Sequence, residues 1–156
     1  MLEINVQLLY PDWVADYSDT SLFKLYEWFK QQIAYRVMTQ EEKEQIENQI
    51  SITPLFVGVI PIPELTFTVE TVTICFDTSI YFGETLVYNT NNLKWKADLA
   101  SKKYADYAQP LLFKDGNKVP LNPRRIIENV AYNILDKGER DMSFIKLFDT
   151  WKRAFE

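Results

Sequence analysis

The chain contains no histidine and a single cysteine, Cys75. Without histidine there is no Ser-His or Cys-His nucleophile, and the commonest general base and metal ligand is missing. One cysteine forms neither an intrachain disulfide nor a multi-cysteine zinc site. Chemistry therefore falls to the carboxylates. Glu70, Asp77 and Glu84 recur every seven residues, with Tyr81 among them. On a helix they line one side about 10 Å apart, at a rise of about 1.5 Å per residue. That is too far for two carboxylates to share a proton. It approaches the separation of acid and base in inverting glycosidases, but those face each other across a cleft from different elements. Glu84 and Asp77, with Tyr81, are one candidate set for a carboxylate-based enzyme. A structural reading stands beside it: Glu84 is buried or half-buried and paired with a Lys or Arg from a neighbouring sheet, or with Arg124 or Arg125. Contact with a partner is a third role. No acidic loop has the ligand spacing of an oxygen-only Mg²⁺ or Ca²⁺ site. No metal and no cofactor is expected.

Gly83, directly before Glu84, sits inside the same helical pattern, where glycine costs about 1 kcal/mol relative to alanine. The expected reason is close approach of another backbone or a large ring, with Trp95, shortly after the helix, a reasonable ring to fill the space. The chain has four glycines and no glycine-rich phosphate loop. Cys75 falls among apolar residues and reads as a buried, inert thiol.

The element that carries these residues spans 66–88. Its many β-branched residues favour strands, but Val69, Val72, Phe76, Ile80, Gly83 and Val87 step by three or four. The pattern predicts a long helix, apolar around much of its circumference and therefore central and buried. Before it, residues 2–10 begin with strand-like alternation and end at Pro11. Leu22, Tyr26, Phe29, Ile33 and Val37 mark an amphipathic helix capped by Asp19, Thr20 or Ser21. Thr39 and Glu42 form a capping box for a surface helix over about 40–50. Residues 52–65 hold three prolines and read as an apolar, extended connector. After the long helix, Leu93, Trp95, Ala97 and Leu99 alternate as a half-buried strand. A second strand follows over about 108–113, then an Asp115-Gly116-Asn117 turn and a brief return at Lys118-Val119. Asn122-Pro123 starts a helix that Gly138 ends. Asp141 can cap a last helix facing inward through Phe144, Ile145, Leu147, Phe148, Trp151 and Phe155. The expected fold is one helix-rich α+β domain over 1–156. It comprises an N-terminal helical part (1–51), the connector (52–65), and the central helix, a small antiparallel sheet and two C-terminal helices (66–156).

At 156 residues the chain is long enough to bury most of its unfolded surface, about 70%. The N-terminus has no basic region followed by an apolar run, and no apolar stretch reaches the ~20 residues of a membrane span. A cytoplasmic, non-membrane protein is expected. The net charge of −5 is unevenly spread. Residues 1–93 hold 13 acids against 4 bases, and residues 94–156 hold 9 acids against 13 bases. An acidic surface steers a basic partner, and no basic stripe with interleaved aromatics points to nucleic acid. Asp12, Asp16, Asp19, Glu41, Glu42, Glu44 and Glu47 are the candidate partner surface. Two solvated faces of opposite sign are the alternative.

One ordered set of motifs resembles a group of small, uncharacterised bacterial proteins. It comprises Tyr81-Phe82-Gly83-Glu84, Trp95, Gln109-Pro110-Leu111-Leu112, the Asp115-Gly116-Asn117 turn, Asn122-Pro123 and Ser143-Phe144-Ile145-Lys146-Leu147-Phe148. It covers about residues 65–155. The resemblance implies a compact α+β domain with no known enzyme activity and a structural role for Tyr81, Gly83, Glu84 and Trp95. In size, acidity and lack of catalytic residues the chain is also similar to the immunity proteins that accompany bacterial toxins. The expected function is non-enzymatic: an inhibitor that binds a toxin domain directly. A structural or regulatory adaptor and the carboxylate enzyme are the alternatives.

Overall fold

The computed structural model describes residues 1–52, 60–99, 102–103, 105–116, 120–138 and 143–156. Among them are six helices and two small antiparallel sheets of two strands each, a helix-rich α+β fold. The centre of the connector, and the expected roles of Asn117, Lys118, Val119 and Asp141, lie outside the described residues.

Helix α4 (Val69–Asn89) is the axis of the molecule. Thr68 caps it by accepting from the Thr71 amide, which supplies a partner for an otherwise free N–H. The residues just before it, expected as helix, pair instead as strand β2 (Leu65–Phe67) with β1 (Tyr35–Val37), in the register Tyr35↔Phe67. Their β-branched and aromatic side chains suit that extended pairing. Tyr35 stacks on Phe67, and Phe67 on Tyr132 of α5 (Pro123–Lys137), with ring centroids 5.6 and 4.2 Å apart.

Helix α2 (Asp19–Gln32) starts one residue before the expected caps: Ser18 accepts from the Ser21 amide. Asp16 accepts from the Ser18 amide and holds Ser18 in place. The helix also ends earlier than the apolar stripe implied. Ile33 is already extended, so Val37 belongs to β1, where pairing with β2 satisfies its backbone. Helix α3 (Gln40–Ser51) has the expected capping box, with both Thr39–Glu42 bonds present, and no buried residue. It is tied to the body by Arg36–Glu42, bidentate at 2.9 and 2.6 Å, and by Lys43–Glu64.

Residues 2–7 are helix α1 (Leu2–Gln7), not the expected strand. The alternation Leu2, Ile4, Val6, Leu8 misled because only Leu2 and Val6, four apart, turn inward; Ile4 and Leu8 are exposed. Among the described residues no strand edge receives this segment. The Gln7 side chain instead donates to the Trp13 carbonyl at 2.9 Å.

Strands β3 (Leu93–Ala97) and β4 (Pro110–Lys114) form the second sheet, with Trp95 opposite Leu112. Leu112 also bridges to Leu121, which leads into Asn122. As expected, Asn122 caps α5 and Pro123 occupies its first turn, while Gly138 closes it in the left-handed region at φ 71°. The last helix, α6 (Phe144–Phe155), is capped by Ser143. Its inward side is the expected one: Phe144, Phe148 and Phe155 are buried, with Ile145, Leu147 and Trp151 against the core.

Phe144 is the meeting point of the core. Its ring lies 5.1 Å from Tyr26 and 5.3 Å from Phe29 of α2, and 6.3 Å from Phe82 of α4. Phe29, Phe82 and Phe144 are fully buried; each such side chain stabilises the fold by roughly 1.5–3 kcal/mol. Helices α2, α5 and α6 thus enclose one side of α4. That side carries Thr71, Cys75, Thr78, Phe82 and Leu86.

The helix expected to be buried is covered on that side but open on the other. Val69 is 70% exposed, and Val72, Phe76 and Ile80 are each 42–43% exposed. Only toward the C-terminus, at Gly83, is this stripe covered.

Candidate interaction surface on the central helix

The Tyr81-Phe82-Gly83-Glu84 run is a structural lock. A Cβ placed on Gly83 would run into Cζ2 and Cη2 of Trp95 and stand 3.3 Å from Pro123 Cγ. The Trp95 ring can approach the helix this closely because there is no side chain there, the reason expected for this glycine. Its indole N–H then donates to Glu84 Oε1 at 2.7 Å. This corrects the expected ion pair. Arg124 pairs with Glu128 at 2.7 Å and Arg125 with Asp106 at 2.9 Å; Glu84 takes the indole. The strand register brings Trp95 to the helix, while the arginines are engaged with their own neighbours.

Tyr81 secures the opposite edge. Its hydroxyl accepts from the Tyr17 amide at 3.0 Å and contacts Ser21 Oγ at 2.8 Å. Ser21 itself donates to the Ser18 carbonyl, so Tyr81 is the donor of the second bond. Burial pushes the Tyr81 phenol up, against the opposing pull of these two partners. Tyr17 is held at φ 59°, in the left-handed region. Trp13 packs on Tyr81 at 5.4 Å and donates to the Ser21 carbonyl. Sequence reasoning did not link Trp13, Tyr17 and Ser21 to Tyr81, since nothing in their spacing joins residues 60 or more apart. Cys75 is fully buried, and burial pushes its thiol up to about 12, as an inert core thiol requires.

What remains open on α4 is the stripe Val69, Val72, Phe76 and Ile80 and the adjoining row of carboxylates. A recess of about 240 Å³ adjoins one edge, with Phe76, Ile80, Trp95, Pro110 and Arg124 in its wall. Its polar groups are already engaged: Ser79 donates to the Phe76 carbonyl, and Gln109 accepts from Asn122. A second recess, of about 390 Å³, holds Asp77, Glu84, Tyr81, Tyr17 and Leu2. Ile80 belongs to both. Of the three groups in the carboxylate-enzyme set, Tyr81 and Glu84 spend polar atoms on structural bonds. Asp77 and Glu70 have no ion-pair or hydrogen-bond partner among the described residues.

The candidate partner residues fall into two separate groups. Asp12, Asp16 and Asp19 are exposed where the chain enters α2. Hydrogen bonds from Ser18 hold the Asp16 carboxyl below the usual range. Glu41, Glu44 and Glu47 are exposed on α3, which follows the other end of α2. Fourteen helical residues separate these ends by about 20 Å, so the two groups do not make one patch. Glu42 is not free for a partner. Its carboxylate grips Arg36, first, and the Thr39 amide, and these hold it down to about 2.

Among the described residues no cluster of His, Cys, Asp or Glu could hold a metal ion, and no helix is long and apolar enough to cross a membrane. Comparison of the chain with protein-family models, curated proteins and solved structures yields no match.

Proposed function

We propose that the chain is a non-enzymatic protein-binding protein of the immunity type, which neutralises a bacterial toxin domain by direct contact in the cytoplasm. The observation that carries this reading is the open side of α4. A contiguous apolar stripe at a fold's central helix is what a partner surface looks like before it is covered. Two of the three residues that would otherwise suggest chemistry are engaged as structure: Tyr81 with Ser21 and Tyr17, Glu84 with Trp95. The Asp12, Asp16 and Asp19 group supplies an exposed negative field beside α2. Such a field raises the association rate with a basic partner and is screened by salt.

The experiment is a tagged pull-down from native cells at low and high salt. Each retained protein is then expressed alone and together with this chain. A stoichiometric partner that arrests growth alone, and is harmless with the chain present, is the expected result. Reversing Asp12, Asp16 and Asp19 together should slow association with it and blunt the salt dependence. Recovery of the chain alone under both conditions would count against the inhibitor. A requirement for the chain in cells free of any toxin would favour the adaptor.

A further inference from the structure

Val69, Val72, Phe76 and Ile80 lie within one narrow sector of α4, at about 100° per residue, and extend about 16 Å along its axis. That is three turns of open apolar surface, with a recess on each side of its C-terminal half and Ile80 in the wall of both. Glu70, Asp77 and Glu84 follow one edge of the sector at seven-residue intervals. Single exposed apolar residues are ordinary; an aligned set with recesses on both sides is not.

The charge on the edge selects the occupant. A second copy packed parallel would set the acidic row against the other edge, where Arg124 is already paired with Glu128; packed antiparallel across a two-fold axis, it would set the row against its own image, with Asp77 near Asp77. Facing like charges destabilise a helix pair. Neither Glu70 nor Asp77 has a basic neighbour within the described fold to offset that repulsion. A helix with apolar residues on one side and Lys or Arg along the adjoining edge meets both requirements. Seven-residue spacing of its basic groups matches the carboxylate row, as charged flanking positions do between paired helices.

We infer that the open face of α4 is the docking site for a partner's amphipathic helix of about three turns, edged with Lys or Arg at seven-residue spacing. This rests on the protein-binding reading above and names the chemistry of its partner.

The probe is a synthetic 18-residue, dye-labelled Leu/Lys helix with lysines at seven-residue spacing along one edge. A scrambled peptide of the same composition and a Lys→Glu version serve as controls. Binding is read by fluorescence anisotropy at two salt concentrations. The expected result is saturable binding of the ordered Lys peptide and at least tenfold weaker binding of both controls. Phe76→Ser with Ile80→Ser, and separately Glu70→Lys with Asp77→Lys, should each weaken the ordered peptide at least tenfold. These side chains are at least partly exposed, and circular dichroism checks that each variant stays folded. Reversal of Glu41, Glu44 and Glu47 on the remote α3 should change binding less than threefold. Equal binding of the scrambled peptide, or an equal effect of the α3 reversals, would reduce the interaction to bulk charge and overturn the inference. So would a dimer in sedimentation that Phe76→Ser abolishes, which would assign the face to a second copy. A toxin partner that binds the α4 variants with undiminished affinity would overturn the docking site and leave the inhibitor standing. Absence of any partner in the pull-down would remove the inhibitor, whatever the peptide does.

Discussion

Replacing Gly83 with alanine tests the lock between α4 and β3. On an open helix surface the change would stabilise by about 1 kcal/mol, because alanine loses less backbone freedom. Here the new methyl would overlap the Cζ2–Cη2 edge of the Trp95 ring, by more than about 1 Å against a normal carbon contact of about 3.5–4.0 Å. The ring must move. Overpacking of this kind costs about 1–3 kcal/mol. Displacing the indole also breaks its bond to the Glu84 carboxylate at 2.7 Å; a hydrogen bond to a charged group is worth about 1.5–3 kcal/mol. Set against the helix gain, the net destabilisation is about 1.5–5 kcal/mol. The assay is urea unfolding followed by tryptophan fluorescence and far-ultraviolet circular dichroism, with Gly83→Ala made in the native chain and in a Trp95→Leu background. Without the ring the substitution should be neutral or stabilising, so the two sites should show strong coupling. A Gly83→Ala protein that is more stable than wild type with Trp95 in place would refute the close-packing account. An equal cost in both backgrounds would refute it as well.

Tyr81→Phe keeps the ring but leaves the Tyr17 amide without its acceptor, and should cost about 1–3 kcal/mol, again read by urea unfolding; an unchanged midpoint would mean that water replaces the hydroxyl. The Glu42 carboxyl is held down to about 2 by Arg36 and Thr39, so its contribution is complete above the ordinary glutamate range of about 4.3 and is lost as pH falls from there toward 2. Glu42→Gln should therefore lose stability relative to wild type at neutral pH and converge with it in acid; parallel curves of thermal midpoint against pH would contradict this. The Cys75 thiol, buried and pushed up to about 12, should resist a thiol reagent at pH 8 in the native protein and react at once in denaturant; rapid native labelling would show that α4 opens locally. Thr78 Oγ1 is buried with no hydrogen-bond partner, so Thr78→Val, which keeps the shape, should leave stability unchanged or raise it by up to about 1 kcal/mol; a clear loss in thermal unfolding would reveal a hidden partner.

Local signals in the chain were sufficient for the features that local physics controls. The Thr39–Glu42 capping box, the Asn122-Pro123 start and the Gly138 stop each depend on neighbours a few residues away, and each is present as read. The 3.6-residue period outweighed β-branched content over α4 because the buried helix is held by packing, which propensity alone does not describe. At Gly83 the sequence sufficed even for a tertiary contact, since a glycine within a helix calls for a close neighbour and Trp95 lies a short turn away. Tertiary structure decided the rest. Leu2–Gln7 alternates like a strand, yet an alternating segment becomes a strand only where an edge receives it. Glu84 wanted a donor, and the choice of an indole over an arginine followed from the β3–β4 register. Most consequentially, α4 has two faces that can be buried. Apolar periodicity favoured Val69, Val72, Phe76 and Ile80, but the smaller Thr71, Cys75 and Thr78 let neighbouring helices approach closely and so took the interior. Periodicity measures how apolar a face is; which face is covered depends on the shape of what packs against it, and that is not written at any one position in the chain.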